Sequence, residues 1–330
     1  MFDWWPSEMN VSWPKISIVT PSFNQGEYLE EAIRSVIRQG YPNLEYFVVD
    51  GGSTDDSAKI IQGYADSINW WVSQKDRGQT DALIKGFSRA SGDLLGWINS
   101  DDLLEPGALA AVAQAYRDNP GSLIAGSVVL FSHSSRRERL LRPKNLNFGD
   151  MIRIWERKFF FSQPGVFFPR QGYVQSGGLD ENLSYCMDLD LMIRLSRLCP
   201  VIYLDEVLAR ARQHPASKTC SQSGDMVAES CAVARRYLTE AGGPNRAAAR
   251  WQLKAYTARR ILARVYHGAP GAVWPLLKEL ARPREIPPRA VSDNHRDLHV
   301  MPGACGGTKT FVPSGAPVSR WQRTRSAGNR

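Results

Sequence analysis

The sequence predicts an α/β fold in which a mostly parallel sheet is flanked by helices. Short β-branched runs, beginning with "ISIVT" at 16–20, alternate with segments whose apolar residues recur at helical spacing. Polar and acidic clusters follow the predicted strands, and in a parallel sheet such strand ends meet along one edge, where ligands bind. The 330 residues suffice for one large domain or two smaller ones.

Strands and helices alternate from the start of the predicted sheet. Leu29, Ile33 and Val36 share one face of a helix that Gly40 ends, and the loop before this helix begins at Pro21. The other predicted elements of this part are the strands "LEYFVVD" (44–50), "INWWVS" (68–73) and "LLGWIN" (94–99) and the helices "AKIIQGY" (58–64) and "QTDALIKGFSRA" (79–90). This order is typical of βαβ units.

The following part continues the alternation with a helix at 107–120 and a strand at 122–131. We interpret the polar, basic stretch 132–144 as a connection, and 177–197 as a glycine turn that leads into a helix. The stretch "VIYLDEVLARARQH" (201–214) predicts a final pair of strands.

Beyond this sheet the pattern becomes helical and rich in arginine. We divide the chain into an N-terminal segment (1–14), an α/β domain (15–224), a basic helical extension (225–282) and a tail (283–330). The tail is rich in Pro, Gly, Ser and Arg and shows little periodicity, which predicts disorder.

Positive charge is concentrated in the C-terminal part. Residues 240–330 hold 16 Lys or Arg and 5 Asp or Glu, a net charge of +11, so the rest of the chain contributes −3 to the total of +8. The helical pattern at 246–268 has two interpretations: a basic amphipathic helix in peripheral contact with a membrane, or a helix packed on the α/β domain. No RNA- or DNA-binding motif accompanies the charge, so we expect no nucleic-acid partner.

The cysteines and the apolar runs indicate where the protein resides. The five cysteines are scattered and form no C-x-x-C pair, which argues against a disulfide framework or a zinc site and favours a reducing compartment. The N-terminus does not read as a secretory signal, and we expect no membrane-spanning helix. These observations predict a cytoplasmic protein.

Two adjacent carboxylates, Asp101 and Asp102, end the apolar strand run in "GWINSDD" (96–102). Like charges repel, and an apolar wall disfavours both ionised forms, so a positive partner is expected there. A divalent cation fits, because hard cations take oxygen ligands. One carboxylate would then hold the metal while the other orients a sugar or phosphate.

The stretch from "ISIVTPSFNQGEYLEEAIRSVIRQGYPNLEYFVVDGGSTDDS" to "GWINSDD" resembles glycosyltransferase family 2, whose members have the Rossmann-like GT-A fold. The likeness covers roughly 15–214, and its specificity lies in the order and spacing of the combined motifs. It implies an inverting enzyme that moves a sugar from a UDP- or dTDP-sugar to an acceptor hydroxyl, with Mg²⁺ or Mn²⁺ as cofactor.

The resemblance also implies roles for individual residues on the donor side. The residues that match nucleotide- or donor-binding positions are Thr20, Pro21, Asn24, Asp50, Ser53, Asp76, Asp81 and Asp101. Asp55 completes the same motif as Ser53, although a Ser- and Asp-rich loop is equally typical of a helix cap. Asp102 matches the metal position, and His214, in "ARARQHPASKT", is implied as a second metal ligand. Asn99 departs from the family pattern, which has an acid there.

The acceptor side and the chemistry depend on three further segments. Asp188, in "YCMDLDLMIR", matches the general base, while Asp190 is expected to support it or to cap the helix. Gln163, in "FSQPGVFF", resembles an acceptor-side turn. The acceptor implied is a saccharide or a lipid-linked precursor in bacterial cell-surface polysaccharide or glycolipid synthesis. If it is lipid-linked, the segment 246–282 would dock on the inner face of the cytoplasmic membrane.

Two other functions stay open on the sequence. A sugar nucleotidyltransferase also uses a parallel sheet and metal-binding acids, but it normally carries a glycine- and arginine-rich phosphate loop after the first strand, and "TPSFNQGEY" has no basic residue. A non-catalytic module that binds nucleotide sugars would keep the fold without needing the full set of acids.

Overall fold

The computed structural model describes residues 13–132, 138–214, 217, 223–238, 246–266 and 273–281. All of these lie in one compact unit, 1–292. Most of the predicted N-terminal segment and the whole of the predicted tail (283–330) fall outside the described residues.

The first half of the molecule is a run of parallel βαβ units. Its strands are β1 (Ile16–Ser22), β2 (Leu44–Asp50), β3 (Trp70–Ser73) and β4 (Leu94–Trp97), and its helices are α1 (Gly26–Ile37), α2 (Ser57–Gly63) and α3 (Gln79–Phe87). The strands lie in the order β3-β2-β1-β4 and are all parallel. This confirms the predicted α/β class for the part of the chain that carries the resemblance.

In the described part of the chain, the second half extends the sheet to nine strands and adds antiparallel pairs to it. Its elements are β5 (Leu103–Leu104), α4 (Ala108–Asp118), β6 (Leu123–Phe131), β7 (Glu138–Leu141), α5 (Phe148–Met151), β8 (Val166–Pro169), α6 (Arg170–Gln175), α7 (Met187–Leu195) and β9 (Val201–Arg212). β8 runs antiparallel between β4 and β6, and β9 runs parallel to β6 on its other side. β5 and β7 pair antiparallel with β9 and β6.

Three predictions about strands are wrong. The stretch 201–214 was predicted as two strands but forms the single strand β9, because the polar pair Asp205–Glu206 is accommodated as a bulge against β6. The connection 132–144 contains the strand β7, which pairs with β6. β1 continues through Pro21, where the neighbouring ladder with β4 has already ended and only β2 runs alongside.

The sheet buries an apolar cluster on each face. One cluster joins β1, β2 and β4 to α1 and α4 through residues such as Ile18, Ile33 and Val112. The other joins the opposite face to α3 and α7 through Val49, Leu83 and similar side chains. Alternating side chains of the same strands serve both clusters, which is why these strands read as continuous apolar runs. The sheet is thus fixed from both sides and holds its strand ends rigidly.

Among the described residues, three helices follow the sheet: α8 (Ser223–Leu238), α9 (Arg246–Tyr266) and α10 (Trp274–Ala281). Their buried side chains, including Cys231, Leu253 and Leu276, belong to the cluster that covers α3 and α7. The extension therefore packs on the α/β domain, as one of its two interpretations predicted. No helix among the described residues has the length and apolarity needed to cross a membrane.

Candidate active site

The carboxyl ends of the first three strands form one edge in register. Ser22 at the end of β1 pairs with Asp50 at the end of β2, which pairs with Ser73 at the end of β3. Parallel strands bring these polar ends together, as the sequence predicted.

Asp50 is completely buried at this edge, and its hydrogen bonds hold the following loop. Its Oδ2 accepts from the N–H groups of Gly52 at 3.2 Å and Ser53 at 2.9 Å and from the Ser73 hydroxyl at 2.7 Å. The Ser53 hydroxyl donates to the other oxygen. Asp50 and Ser53 therefore shape one loop together; direct contact of Asp50 with a nucleotide stays a prediction.

A second set of bonds ties the loop after β1 to the loop after β2. Asn24, whose φ is +50°, accepts from the N–H of Thr54 at 2.8 Å through its side-chain oxygen. Asp55 accepts from the N–H of Gly26 at 2.8 Å and of Ser57 at 3.0 Å, at the starts of α1 and α2. Asp55 is thus a cap for two helices, which is the structural alternative that the sequence left open.

The loop after β3 approaches the same edge through Asp76. A Cβ added to Gly51 would meet the Asp76 carboxylate at 2.8 Å, so only glycine allows this approach. Asp76 accepts from the N–H of Gly78 at 2.8 Å. Burial raises the pKa of its carboxyl, with smaller contributions from the charges of Asp81 and Asp50.

Asp81 lies beside this loop but is engaged by cations. Arg77 donates to it at 2.9 Å and Lys85 lies at 3.2 Å, and these contacts, with the Arg77 hydrogen bond first, lower its pKa. Arg77 also pairs with Glu181 at 2.9 Å, so it joins α3 to the loop before α7. Contact of Asp81 with the donor sugar stays a prediction, and its present partners are Arg77 and Lys85.

Two predicted donor-site residues have buried side chains. Thr20 is 0% exposed, and its hydroxyl shares a hydrogen bond of 3.0 Å with the buried Tyr46 hydroxyl in the core. Pro21 is buried within β1. The structure therefore does not bring the Thr20 side chain to the strand edge, because the alternation of β1 turns it into the core.

Asp102 is buried just beyond β4, and both of its oxygens accept hydrogen bonds. Asn99 donates its side-chain amide to Oδ2 and the backbone N–H of Arg212 donates to Oδ1, each at 3.0 Å. Burial, followed by the charge of Asp101, raises the pKa of Asp102 to about 8. The site therefore favours an added positive charge.

His214 was predicted to share a metal with Asp102, but the structure pairs it with Asp101. Its Nε2 lies 3.0 Å from Asp101 Oδ2, and its ring lies 4.9 Å from the ring of Tyr28. The Asp101 and Asp102 side chains leave the backbone in different directions, and near the end of β9 Asp101 meets the His214 ring while Asp102 meets the backbone N–H of Arg212. Within the described ranges, no group of three or more His, Cys, Asp or Glu converges as a ready cation site.

Asn99 connects the acidic end of β4 to the acceptor-side turn. Besides bonding Asp102, it accepts from Gln79 at 2.7 Å and lies 3.4 Å from Gln163. Gln163 in turn donates to the backbone carbonyl of Trp97 at 2.8 Å. An acid in place of Asn99 would set a carboxylate against Asp102, so the amide suits this environment.

Asp188 stands at the start of α7, in a small recess with largely apolar walls. The residues around it are Trp97, Phe161, Gln163, Val166, Phe168, Leu191 and Met192. Burial raises the pKa of Asp188 to about 6, and the charge of Glu229 adds to this, while the N–H of Leu189 donates to its Oδ1 at 2.7 Å. Such a carboxyl is suited to accept a proton near neutral pH.

The sequence analysis did not single out Arg212, and it left open whether Asp190 supports Asp188 or caps the helix. Arg212 donates from its backbone to Asp102 and from Nε to the Asp101 carbonyl at 3.0 Å, and it pairs with Glu31 at 2.5 Å. Its position two residues before His214 on a strand was the available signal. Asp190 forms buried ion pairs with Arg194 and Arg236, so it supports α7 and does not cap it.

Known proteins are similar to the part of the chain that carries most of these residues. Residues 17–176 match the family described as glycosyl transferase family 2. Residues 17–176 form a glycosyltransferase family 2 domain. The chain is 27% identical over 222 residues to an uncharacterized glycosyltransferase of Rickettsia typhi, covering 64% of this chain and 68% of that protein. The chain also matches a longer uncharacterized glycosyltransferase of Rickettsia conorii, of which it covers 35%.

Solved structures establish the GT-A fold of this glycosyltransferase. Staphylococcus aureus TarS 1–349 in complex with UDP-GlcNAc superposes with a TM-score of 0.57 at 17% identity, covering 73% of this chain and 71% of that one. The mannosyltransferase PcManGT of Pyrobaculum calidifontis, in complex with GDP-Man and Mn²⁺, gives a TM-score of 0.54 at 16% identity, covering 82% and 87%.

Proposed function

We propose that this glycosyltransferase moves a sugar, with inversion, from a nucleotide-diphosphate donor to an acceptor hydroxyl. The observation that carries the proposal is the position of Asp188, which shares an apolar recess with Gln163. Gln163 contacts Asn99, and Asn99 is bonded to Asp102 in the acidic cluster. A base and a diphosphate-binding cluster thus adjoin one turn. The donors proposed are UDP- or dTDP-sugars.

The base step is supported by the environment of Asp188. With a pKa of about 6, its carboxylate is mostly ionised at neutral pH and accepts the proton of the acceptor hydroxyl as that oxygen attacks the anomeric carbon. The nucleoside diphosphate leaves from the opposite face, so one displacement inverts the configuration. No covalent enzyme intermediate is needed.

Asp101 and His214 are the residues that fit a divalent cation. Their ligand atoms lie 3.0 Å apart, with 17% and 10% of the side chains exposed, and Mg²⁺ typically takes one or two carboxylates together with substrate phosphates. The raised pKa of the neighbouring Asp102 reflects the same need for positive charge. Bound there, Mg²⁺ or Mn²⁺ would neutralise charge on the departing diphosphate. This reverses the roles that the sequence gave Asp101 and Asp102.

Donor binding can be tested by thermal unfolding. We expect UDP, dTDP or one of their sugars to raise the melting temperature by several degrees at saturation, and Mn²⁺ to enlarge the shift. His214→Ala should remove the Mn²⁺-dependent part and keep the rest, while the exposed change Asp66→Asn should alter neither. The panel includes UDP-GlcNAc, UDP-glucose, dTDP-glucose and GDP-mannose, since structural neighbours were solved with UDP-GlcNAc and GDP-Man.

The products released by the wild-type protein distinguish the proposed reaction from that of a nucleotidyltransferase. That activity would release pyrophosphate from UTP or dTTP in the presence of a sugar 1-phosphate, whereas the proposed reaction releases a nucleoside diphosphate from a nucleotide sugar. A melting temperature unaffected by every nucleotide sugar, together with pyrophosphate release, would overturn the proposal.

The acceptor proposed is a saccharide or lipid-linked precursor of a bacterial cell-surface polymer, reached from the cytoplasmic face of the membrane. Helix α9 supports this. One side of it packs through Leu253, while Trp251 and Leu262, about three turns apart and therefore on one face, are 71% and 67% exposed. The exposed Lys254 and Arg259 flank that face, and the helix contains no Asp or Glu. Apolar and basic groups together complement an anionic bilayer surface.

Vesicle co-sedimentation tests this contact. We expect the protein to pellet with phosphatidylcholine vesicles that contain phosphatidylglycerol, but only weakly with phosphatidylcholine alone, and to be released by salt. Lys254→Gln with Arg259→Gln should weaken binding roughly tenfold or more. Arg38→Gln with Lys59→Gln, which removes two exposed positive charges elsewhere, is the matched control. Equal pelleting of all variants would contradict the proposal.

A further inference from the structure

Helix α7, which carries Asp188, begins without a cap from its own turn. The preceding residue, Cys186, makes no side-chain capping bond, but its own N–H and those of Ser184 and Tyr185 donate hydrogen bonds. Their acceptor is Glu229, on α8 of the C-terminal extension. Unpaired N–H groups before and at a helix start cost stability, so this carboxylate stabilises the segment that leads into α7.

The geometry of this contact is specific. Glu229 Oε1 accepts from the N–H of Ser184 at 3.1 Å, Tyr185 at 2.8 Å and Cys186 at 2.7 Å, and Oε2 also lies 3.1 Å from the Ser184 nitrogen. The Cys186 thiol donates to the carbonyl of Met226, one turn earlier on α8. Three successive N–H groups thus converge on one side chain from a distant part of the chain.

The same loop is fastened on its other side to the donor half of the site. The Thr80 hydroxyl on α3 donates to the Leu183 carbonyl at 2.6 Å, and Arg77 pairs with Glu181. Glu229 therefore completes a clamp that fixes the loop 181–186 between α3 and α8, with Asp188 immediately beyond it.

We propose that Glu229 is a positioning residue for Asp188, holding the start of α7 and setting the charge around the base. The inference rests on the proposed role of Asp188 and makes the extension part of the catalytic unit. A base misplaced by about 1 Å costs on the order of a hundredfold in rate, so the clamp matters for turnover.

The charge of Glu229 gives a readout that a merely structural role would not move. Burial is the main cause that raises the pKa of Asp188, and the charge of Glu229 raises it further. The other ionisable groups nearby are the Cys186 thiol, which burial keeps protonated, Asp225 near Tyr185, and Asp190, whose charge is compensated by Arg194 and Arg236. Removing the negative charge at 229 should therefore lower the pKa of Asp188.

The experiment compares Glu229→Gln, Glu229→Ala and the exposed control Glu206→Gln. In the wild type, donor turnover with the best nucleotide sugar of the panel should fall as pH drops through about 6, because the base becomes protonated. Glu229→Gln should keep the maximal rate within a few-fold and shift this acidic limb to lower pH. Glu229→Ala should lower kcat roughly tenfold or more, and Glu206→Gln should change neither.

Hydrogen–deuterium exchange supplies a second readout that needs no activity. We expect the amides of 184–186 to exchange faster in Glu229→Ala than in the wild type or Glu206→Gln. Unchanged exchange would overturn the clamp even if no donor is ever turned over, whereas faster exchange in a protein that turns over no donor would overturn only the proposed function. A wild-type pH profile in Glu229→Gln, with wild-type kcat in Glu229→Ala, would overturn the positioning role.

Discussion

Replacing Asp188 with asparagine is expected to lower the rate of sugar transfer by roughly 10²–10⁴-fold, because the amide cannot accept the proton of the acceptor hydroxyl. Donor binding should be almost unchanged, since the hydrogen bonds that hold Asp101 and Asp102 come from Asn99, Arg212 and His214 and not from Asp188. The amide oxygen can still accept from the N–H of Leu189, so the fold should be preserved.

The measurement is release of nucleoside diphosphate under saturating donor, combined with thermal shift on the same preparations. Asp66→Asn, an equal chemical change at an exposed position, should match the wild type in both. Wild-type turnover in Asp188→Asn would refute the assignment of the base. A wild-type protein that binds donor but never transfers the sugar, with every acceptor tried, would favour the non-catalytic module instead.

Replacing Arg236 with methionine is expected to lower the free energy of unfolding by about 3 kcal/mol or more. Arg236 is 8% exposed and bridges two buried carboxylates, Asp180 at 2.9 Å and Asp190 at 3.1 Å. Methionine fills similar volume but leaves Asp180 without its cation and Asp190 with Arg194 as its only charged partner. An uncompensated buried carboxylate is costly, whereas burial of the matched pair is close to neutral.

Denaturant unfolding of Arg236→Met against Arg34→Met tests this difference. Arg34 lies 3.6 Å from Glu30, but their side chains are 46% and 53% exposed, so this pair should contribute under about 1 kcal/mol. Exchange protection in α7 should fall in the Arg236 variant as well, because Asp190 links α7 to α8. If the two variants unfold at the same denaturant concentration, α8 is not fastened to α7 in the way described.

Several elements could be predicted because their signals are local. "LEYFVVD" matches β2 at both ends, since a continuous apolar run bounded by Asn43 and a glycine pair indicates a buried strand without reference to other elements. Helix α1 follows in the same way from its apolar spacing. β9 was misread because Asp205 and Glu206 look like a turn, and only the presence of β6 alongside shows that they form a bulge.

The features of the site also differ in whether they depend on local sequence or on contacts between distant segments. Asp50 and Ser53 lie three residues apart, so their shared loop could be expected from the motif. The partner of His214 could not, because both Asp101 and Asp102 contact the end of β9 and only the folded geometry shows which of them meets the His214 ring. The role of Glu229 could not either, since it acts on a loop more than forty residues earlier in the chain.

The sequence by itself determined the alternation of strands and helices, the polar strand ends along one edge and the match of residues 17–176 to glycosyltransferase family 2. Each of these depends on the order and spacing of residues, which the chain carries whatever its conformation. Only the tertiary structure decided that Thr20 faces the core, that Asp101 meets His214, and that α8 holds the start of the helix bearing Asp188. These depend on the approach of distant segments, which is set by packing across the whole sheet.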